Sequence, residues 1–187
     1  MTVIKTRRLL LRPLEPGDTE DYVAMRYHPE VAKWLMPADR DPTDIARVSI
    51  DRFAASWRDR RYAPWGVFLG ERLVGQCGLN FVPEFDAVEV LWALHPDAWG
   101  QGYATEGAQA ALDYGFGALG LGLIFAITKP ENIASQAVMK RLGLAYRRNV
   151  VYRGMDAVWF DAVNPQAPSS PRDGSPDRPP PPPSHRS

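Results

Sequence analysis

Two glycines and one glutamate are the residues of this chain whose types and spacing suggest chemistry. Gly100 and Gly102 lie in the run His95-Pro-Asp-Ala-Trp-Gly-Gln-Gly-Tyr-Ala104. Ahead of it, residues 88–94 (Val-Glu-Val-Leu-Trp-Ala-Leu) read as a buried strand; behind it, apolar residues at 104, 108, 111, 112, 115, 116 and 119 keep helical spacing. A strand therefore passes through a glycine turn into a helix. The first N–H groups of a helix have no partner inside it and carry about half a positive charge, so such a turn can hold a phosphate. Glycine has no Cβ to keep an anion off the backbone. Without a ligand, the same pair serves as a tight connection. Two other phosphate loops are excluded on spacing: Thr105 stands where the dinucleotide fingerprint needs a third small residue, and no Gly-Lys-Ser/Thr follows. Glu89 shares a strand face with Leu91 and Ala93. A carboxyl on an apolar face has its pKa raised by burial, which suits a proton acceptor near neutrality. A salt bridge to an arginine on a neighbouring element is the equal alternative.

The elements that would position these residues follow in order. Residues 8–14 form a compact apolar run, a first strand. Asp18 is placed to cap a helix running to about Tyr27, and a short helical piece covers 31–36. A long helix spans Thr43–Arg60. Residues 65–69 and 73–81 make a hairpin around Gly70, so four antiparallel strands precede the central turn. Residues 121–128 suit a strand buried on both faces, parallel to 88–94 because a helix separates the two. Asn132 caps a further helix that Gly143 ends, and 144–151 with 156–163 close the sheet as a hairpin at Arg153-Gly154.

With 22 basic and 22 acidic side chains among 187 residues, no basic excess exists for general binding of nucleic acid or an anionic membrane. No apolar run nears the ~20 residues that span a bilayer, and the first residues do not form a secretory signal. Cys77 is the only cysteine, which excludes an internal disulfide and a CxxC metal site; it reads as a small core residue. The cytoplasm is the expected compartment. Half of the 18 prolines fall in 164–187, which reads as a disordered proline-rich tail following a domain over 1–163.

Trp99-Gly-Gln-Gly-Tyr-Ala104 resembles the pyrophosphate loop, Gln/Arg-x-x-Gly-x-Gly/Ala, of the GNAT superfamily of acyl-CoA N-acyltransferases. The run Glu89…His95-Pro…Trp99-Gly-Gln-Gly-Tyr-Ala-Thr-Glu106 is similar to the branch containing the ribosomal-protein N-terminal acetyltransferases. Pro130-Glu-Asn-Ile-Ala-Ser135…Arg141-Leu-Gly-Leu144 resembles the family's Asn-x-x-Ser/Ala…Leu-Gly-Phe segment. The resemblance implies an α/β (α+β) fold: a mixed, mostly antiparallel sheet with splayed parallel central strands, flanked by helices. Acyl-CoA would lie in the split. The backbone at Leu94 and His95 would pair with pantetheine. N–H groups of Gly100, Gln101, Gly102, Tyr103 and Ala104 would hold the pyrophosphate, and Asn132 and Ser135 would contact the pantetheine arm.

The implied activity is N-acetyl transfer from acetyl-CoA, as co-substrate and with no metal, to a primary amine by direct attack in a ternary complex. Such a reaction needs a proton acceptor, an oxyanion donor and an acid for the thiolate. Glu89 is the candidate base, and a backbone N–H near Leu91 or Trp92 is the implied oxyanion donor. Met139 stands where many relatives carry a tyrosine acid, leaving Ser135 as the candidate, with Tyr146, Tyr152 or unassisted departure as alternatives. Glu106 reads as a structural group in the first helical turn, and His95 as a turn residue. The family places an acceptor site beside the helical region holding Trp34, Met36 and Trp57; each of these singly reads as core. Glu84, Asp86 and Glu89 favour a cationic amine, either a protein N-terminus or a small molecule. A monomer or homodimer is expected. A non-catalytic acyl-CoA-binding or regulatory module is the alternative function, and an interaction protein working through its tail is a further one.

Overall fold

The structure, a computed structural model, describes residues 1–35 and 41–164. Its strands are β1 (Ile4–Lys5), β2 (Leu10–Arg12), β3 (Pro64–Leu69), β4 (Arg72–Val82), β5 (Ala87–Leu94), β6 (Leu123–Thr128), β7 (Ala145–Tyr152) and β8 (Met155–Val163). Its α-helices are α1 (Thr19–Arg26), α2 (Pro29–Ala32), α3 (Pro42–Arg60), α4 (Tyr103–Asp113) and α5 (Ile133–Arg141). The strands make one sheet in the order β1-β2-β3-β4-β5-β6-β8-β7. Every neighbouring pair is antiparallel except β5 and β6, the pair joined through α4. β2 to β5 are the four antiparallel strands expected before the central turn, with β1 added at the edge.

The parallel pair is what makes the site. β4 and β5 pair continuously from Val82↔Ala87 to Gly75↔Leu94. β5 and β6 share a single register point, Glu89↔Phe125, and part beyond it. The strands are thus splayed toward the C-terminal end of β5. α4 packs on the sheet through buried Ala108, Ala111 and Leu112. Gly107 faces Cys77, where even a Cβ would make only ordinary van der Waals contact with the sulfur, at 3.4 Å. Cys77 is buried, and burial pushes its thiol up to about 12, so it is the core residue expected.

Several boundaries differ from the sequence reading. The strand expected over 8–14 is β2, Leu10–Arg12, because Arg8 turns away to bond Glu106 and Pro13 has no N–H to offer a ladder. Asp18 precedes α1 but spends its carboxylate on Arg12, at 2.7 and 2.8 Å, and on the Glu15 amide, with no cap bond to the helix. The short helix is Pro29–Ala32, capped by His28, whose side chain accepts from the Glu30 amide at 3.2 Å. The central helix is α-helical only to Asp113, after which Tyr114–Ala118 widens into a π-helical turn. There Gly115 passes so close to β6 that a Cβ would meet Ile124 at 2.6 Å. The last hairpin turns at Arg153 and Gly154, with φ of 50° and 79°, the left-handed pair that a two-residue hairpin needs. Asn164, assigned to the tail, is buried and donates its side-chain amide to the Phe116 and Leu121 carbonyls. The rest of the expected tail lies outside the described residues.

Candidate active site

β5 leaves the sheet at His95, whose N–H donates to the Val74 carbonyl at 2.8 Å and whose Nδ1 accepts from the Asp97 amide at 3.3 Å. A turn over Pro96–Ala98 reverses the chain, and the Trp99 indole donates back to the Leu94 carbonyl at 2.7 Å. Gly100 and Gly102 then take φ of 73° and 78°, a conformation costing other residues about 1–2 kcal/mol. Gly102 occupies the N-cap of α4 with no side chain to bond the first amides. No side-chain cap therefore occupies the first N–H groups of α4.

A residue the sequence reading missed stands beside this turn. Arg8 donates from Nη1 to the Gln101 carbonyl at 2.8 Å and lies over the Tyr103 ring at 4.6 Å. Its Nη2 is 3.5 Å from where a Cβ on Gly102 would be. Glu106 holds it there: the carboxylate accepts from the Arg8 Nε (2.6 Å), the Arg8 amide (2.8 Å) and the Thr6 hydroxyl (2.7 Å). Burial works to raise the Glu106 pKa, but the Thr6 and Arg8 donors outweigh it and keep the carboxyl below its ordinary range. Glu106 is thus the structural group expected in the first helical turn, and it holds an arginine beside the glycine turn. Only the Arg7-Arg8 doublet hinted at this, since the partners are 98 residues apart.

From the turn, a continuous cleft of about 1590 Å³ follows the split between β5 and β6. Leu94, Gly100, Gly102, Tyr103, Ala104, Asn132, Ser135 and Glu89 all line it. His95 and Gln101 do not; their bonds to Val74 and Arg8 turn them aside. Asn132 caps α5 by accepting from the Ser135 amide at 3.1 Å, which fixes both residues at the wall. The His95–Val74 bond sets the alternation of β5, so the backbone of His95, Ala93 and Leu91 faces β4 while that of Leu94 and Trp92 faces the split. The Leu94 carbonyl is already taken by Trp99, leaving the N–H groups of Trp92 and Leu94 directed at the opening.

Glu89 is half-buried on the cleft wall, opposite Asn80 in register. Burial pushes its carboxyl up to about 8, against the opposing pull of the Asn80 side chain and the charge of Arg153. The salt-bridge alternative is not what is found: Arg153 bonds Glu84, at 2.8 Å. Met139 is fully buried, while Tyr146 points outward to Asn149. Tyr152 lines the cleft, with its hydroxyl pKa raised by burial. Trp34 also lines the cleft, contrary to its core reading. Trp57 does pack in the core, 4.9 Å from Trp65, and Met36 lies outside the described residues.

Residues 8–145 match the acetyltransferase (GNAT) domain family. The chain belongs to that family. It is an acyl-CoA N-acyltransferase. Over 170 residues it is 32% identical to the uncharacterized N-acetyltransferase YnaD of Bacillus subtilis (strain 168), a match covering 84% of this chain and 92% of that one. Its fold is similar to that of an acetyltransferase from Agrobacterium tumefaciens, with a TM-score of 0.76, 27% identity, and coverage of 87% and 94%. The fold is also shared with RimL, a ribosomal-protein α-N acetyltransferase solved in complex with coenzyme A, with a TM-score of 0.73, 17% identity, and coverage of 87% and 98%. Among the described residues, no helix is long and apolar enough to cross a membrane, and no group of three or more His, Cys, Asp or Glu could hold a metal ion.

Proposed function

We propose that the chain transfers an acetyl group from acetyl-CoA to the primary amine of a protein N-terminus or a small molecule, in the cytoplasm. What carries this reading is one continuous cleft with uncapped helix N–H groups and Arg8 at the C-terminal end of β5, and a carboxyl of raised pKa further up the same strand. The N–H groups of Gly100, Gly102, Tyr103 and Ala104 hold the pyrophosphate, with the Arg8 guanidinium beside them. The backbone of Trp92 and Leu94 meets the pantetheine amides, and Asn132 and Ser135 face the same arm. Acetyl-CoA supplies the activated thioester. In the transfer the amine nitrogen bonds the acetyl carbon, the C–S bond breaks, and the amine proton goes to Glu89. The Trp92 N–H faces the carbonyl oxygen as negative charge develops, and the Ser135 hydroxyl supplies a proton to the departing sulfur. The lone cysteine, buried and protonated, suits a reducing compartment.

The test is amine-dependent release of free thiol from acetyl-CoA across a panel of small amines and peptide N-termini. Glu89→Gln is expected to cut kcat about 100- to 10,000-fold, the range for a lost general base, while acetyl-CoA still binds. Unchanged turnover in that variant would remove Glu89 from the mechanism, and no turnover with any amine would contradict the activity.

A further inference from the structure

The acceptor half of the cleft has an electrostatic character that the acidic residues of the sequence did not suggest. It is bounded by α1, α3 and the β7–β8 turn. α3 lines it with Ile45, Val48, Ser49 and Arg52, one helical face at i, i+3, i+4 and i+7. Val48 is 61% exposed there, so this apolar wall stands open. Arg26, in the last turn of α1, lines the same space and is half-buried. Both arginines lie close enough to act on the Tyr22 hydroxyl, which donates to the Gln76 side chain at 2.7 Å; Arg52 also acts on Tyr152 across the cleft.

Neither guanidinium has a carboxylate within 4.0 Å among the described residues. None of the acids lining this part of the cleft pairs with either arginine. Glu84 is held by Arg153, and Asp44 faces Arg47 at 4.0 Å. Asp156 lies exposed on the turn opposite. Arg26 is half-buried and lacks the counter-ion that a desolvated arginine normally has, while Arg52 stands exposed at the rim of the same space. Two guanidinium forks lining one open space, both near the Tyr22 hydroxyl, suit a carboxylate, which takes such N–H groups in pairs.

We infer that the acceptor is an amine bearing a carboxylate close to its amino group, with the carboxylate seated between Arg26 and Arg52 and the amine turned to Glu89. This rests on the acyl-transfer reading of the same cleft and replaces the expectation of a cationic acceptor. The carboxylate comes either from a free amino acid or from an acidic residue at the start of a peptide.

The experiment compares matched pairs: free amino acids against their carboxamides, and short peptide amides with glutamate at the second position against their glutamine counterparts. Each pair is measured by kcat/KM for acetyl transfer and by calorimetric titration of the protein saturated with coenzyme A. A preference of about tenfold or more for the carboxylate member is expected, the scale of a charge-assisted hydrogen bond. The pair showing it identifies the source. Arg26→Gln and Arg52→Gln should each raise KM for the carboxylate acceptor far more than for the uncharged one, and Arg52→Lys should restore part of the difference. Equal binding of both members of each pair, or a preference that survives in the doubly substituted protein, would overturn the inference. Carboxylate-dependent binding without turnover would support the anion site and contradict the transfer reading alone.

Discussion

At the scale of single residues, Glu89 is the proposed base. Its carboxyl titrates near 8 because the fold takes it from water, leaving only Asn80 and the distant charge of Arg153 to favour ionisation. A base must be deprotonated, so kcat should rise with pH to a plateau above about 8, and a midpoint near 4.3, the ordinary glutamate value, would contradict this environment. The same shift has a stability sign. The native state keeps a proton that the unfolded chain releases near pH 4.3, so stability falls as pH rises from there through about 8. Glu89→Gln should flatten that decline in melting scans between pH 5 and 9; each 1 kcal/mol recovered is worth about 2–4 °C in a chain this size. Glu89's face was legible in the sequence because strand period alone sets it. The missing arginine partner was not, since Arg153 reaches Glu84 through a hairpin whose approach only the folded sheet defines.

At the scale of elements, strand, glycine turn and helix were legible because backbone rules act locally: buried apolar residues before the turn, positive φ at Gly100 and Gly102, helical spacing after it. The clamp that completes the turn was not. It joins Thr6 and Arg8 to Glu106 across the sheet, and nothing near Arg8 distinguishes it from surface charge. Replacing Glu106 by Gln should free Arg8, weaken acetyl-CoA binding about 5- to 20-fold, and lower stability by about 1–2 kcal/mol, the scale of lost charge-assisted bonds. Calorimetry and thermal melts check both; unchanged affinity would mean that Arg8 contributes nothing at the phosphate turn. Central-helix periodicity likewise ran on to 119, yet the α-helix ends at Asp113 and a π-helical turn follows over Tyr114–Ala118, where Gly115 packs against Ile124.

For the whole molecule, the parallel pairing of β5 and β6 followed from the helix between them, and the split from family resemblance. Periodicity alone would have allowed full pairing; the single register point at Glu89 and Phe125 is what leaves room for a ligand. The sheet thus sets the glycine turn at one end of β5 and open cleft toward the other, with Glu89 on the wall between; the proposed function makes the first the phosphate site and the second the acceptor site. That arrangement is the central claim, and titration of the protein and of Gly102→Glu with acetyl-CoA, by calorimetry and thermal shift, tests it most directly. Micromolar binding to the native protein, lost by at least about 100-fold when a carboxylate is set among the phosphate donors, is the predicted result. Equal binding by a folded variant, or no binding by the native protein, would contradict it.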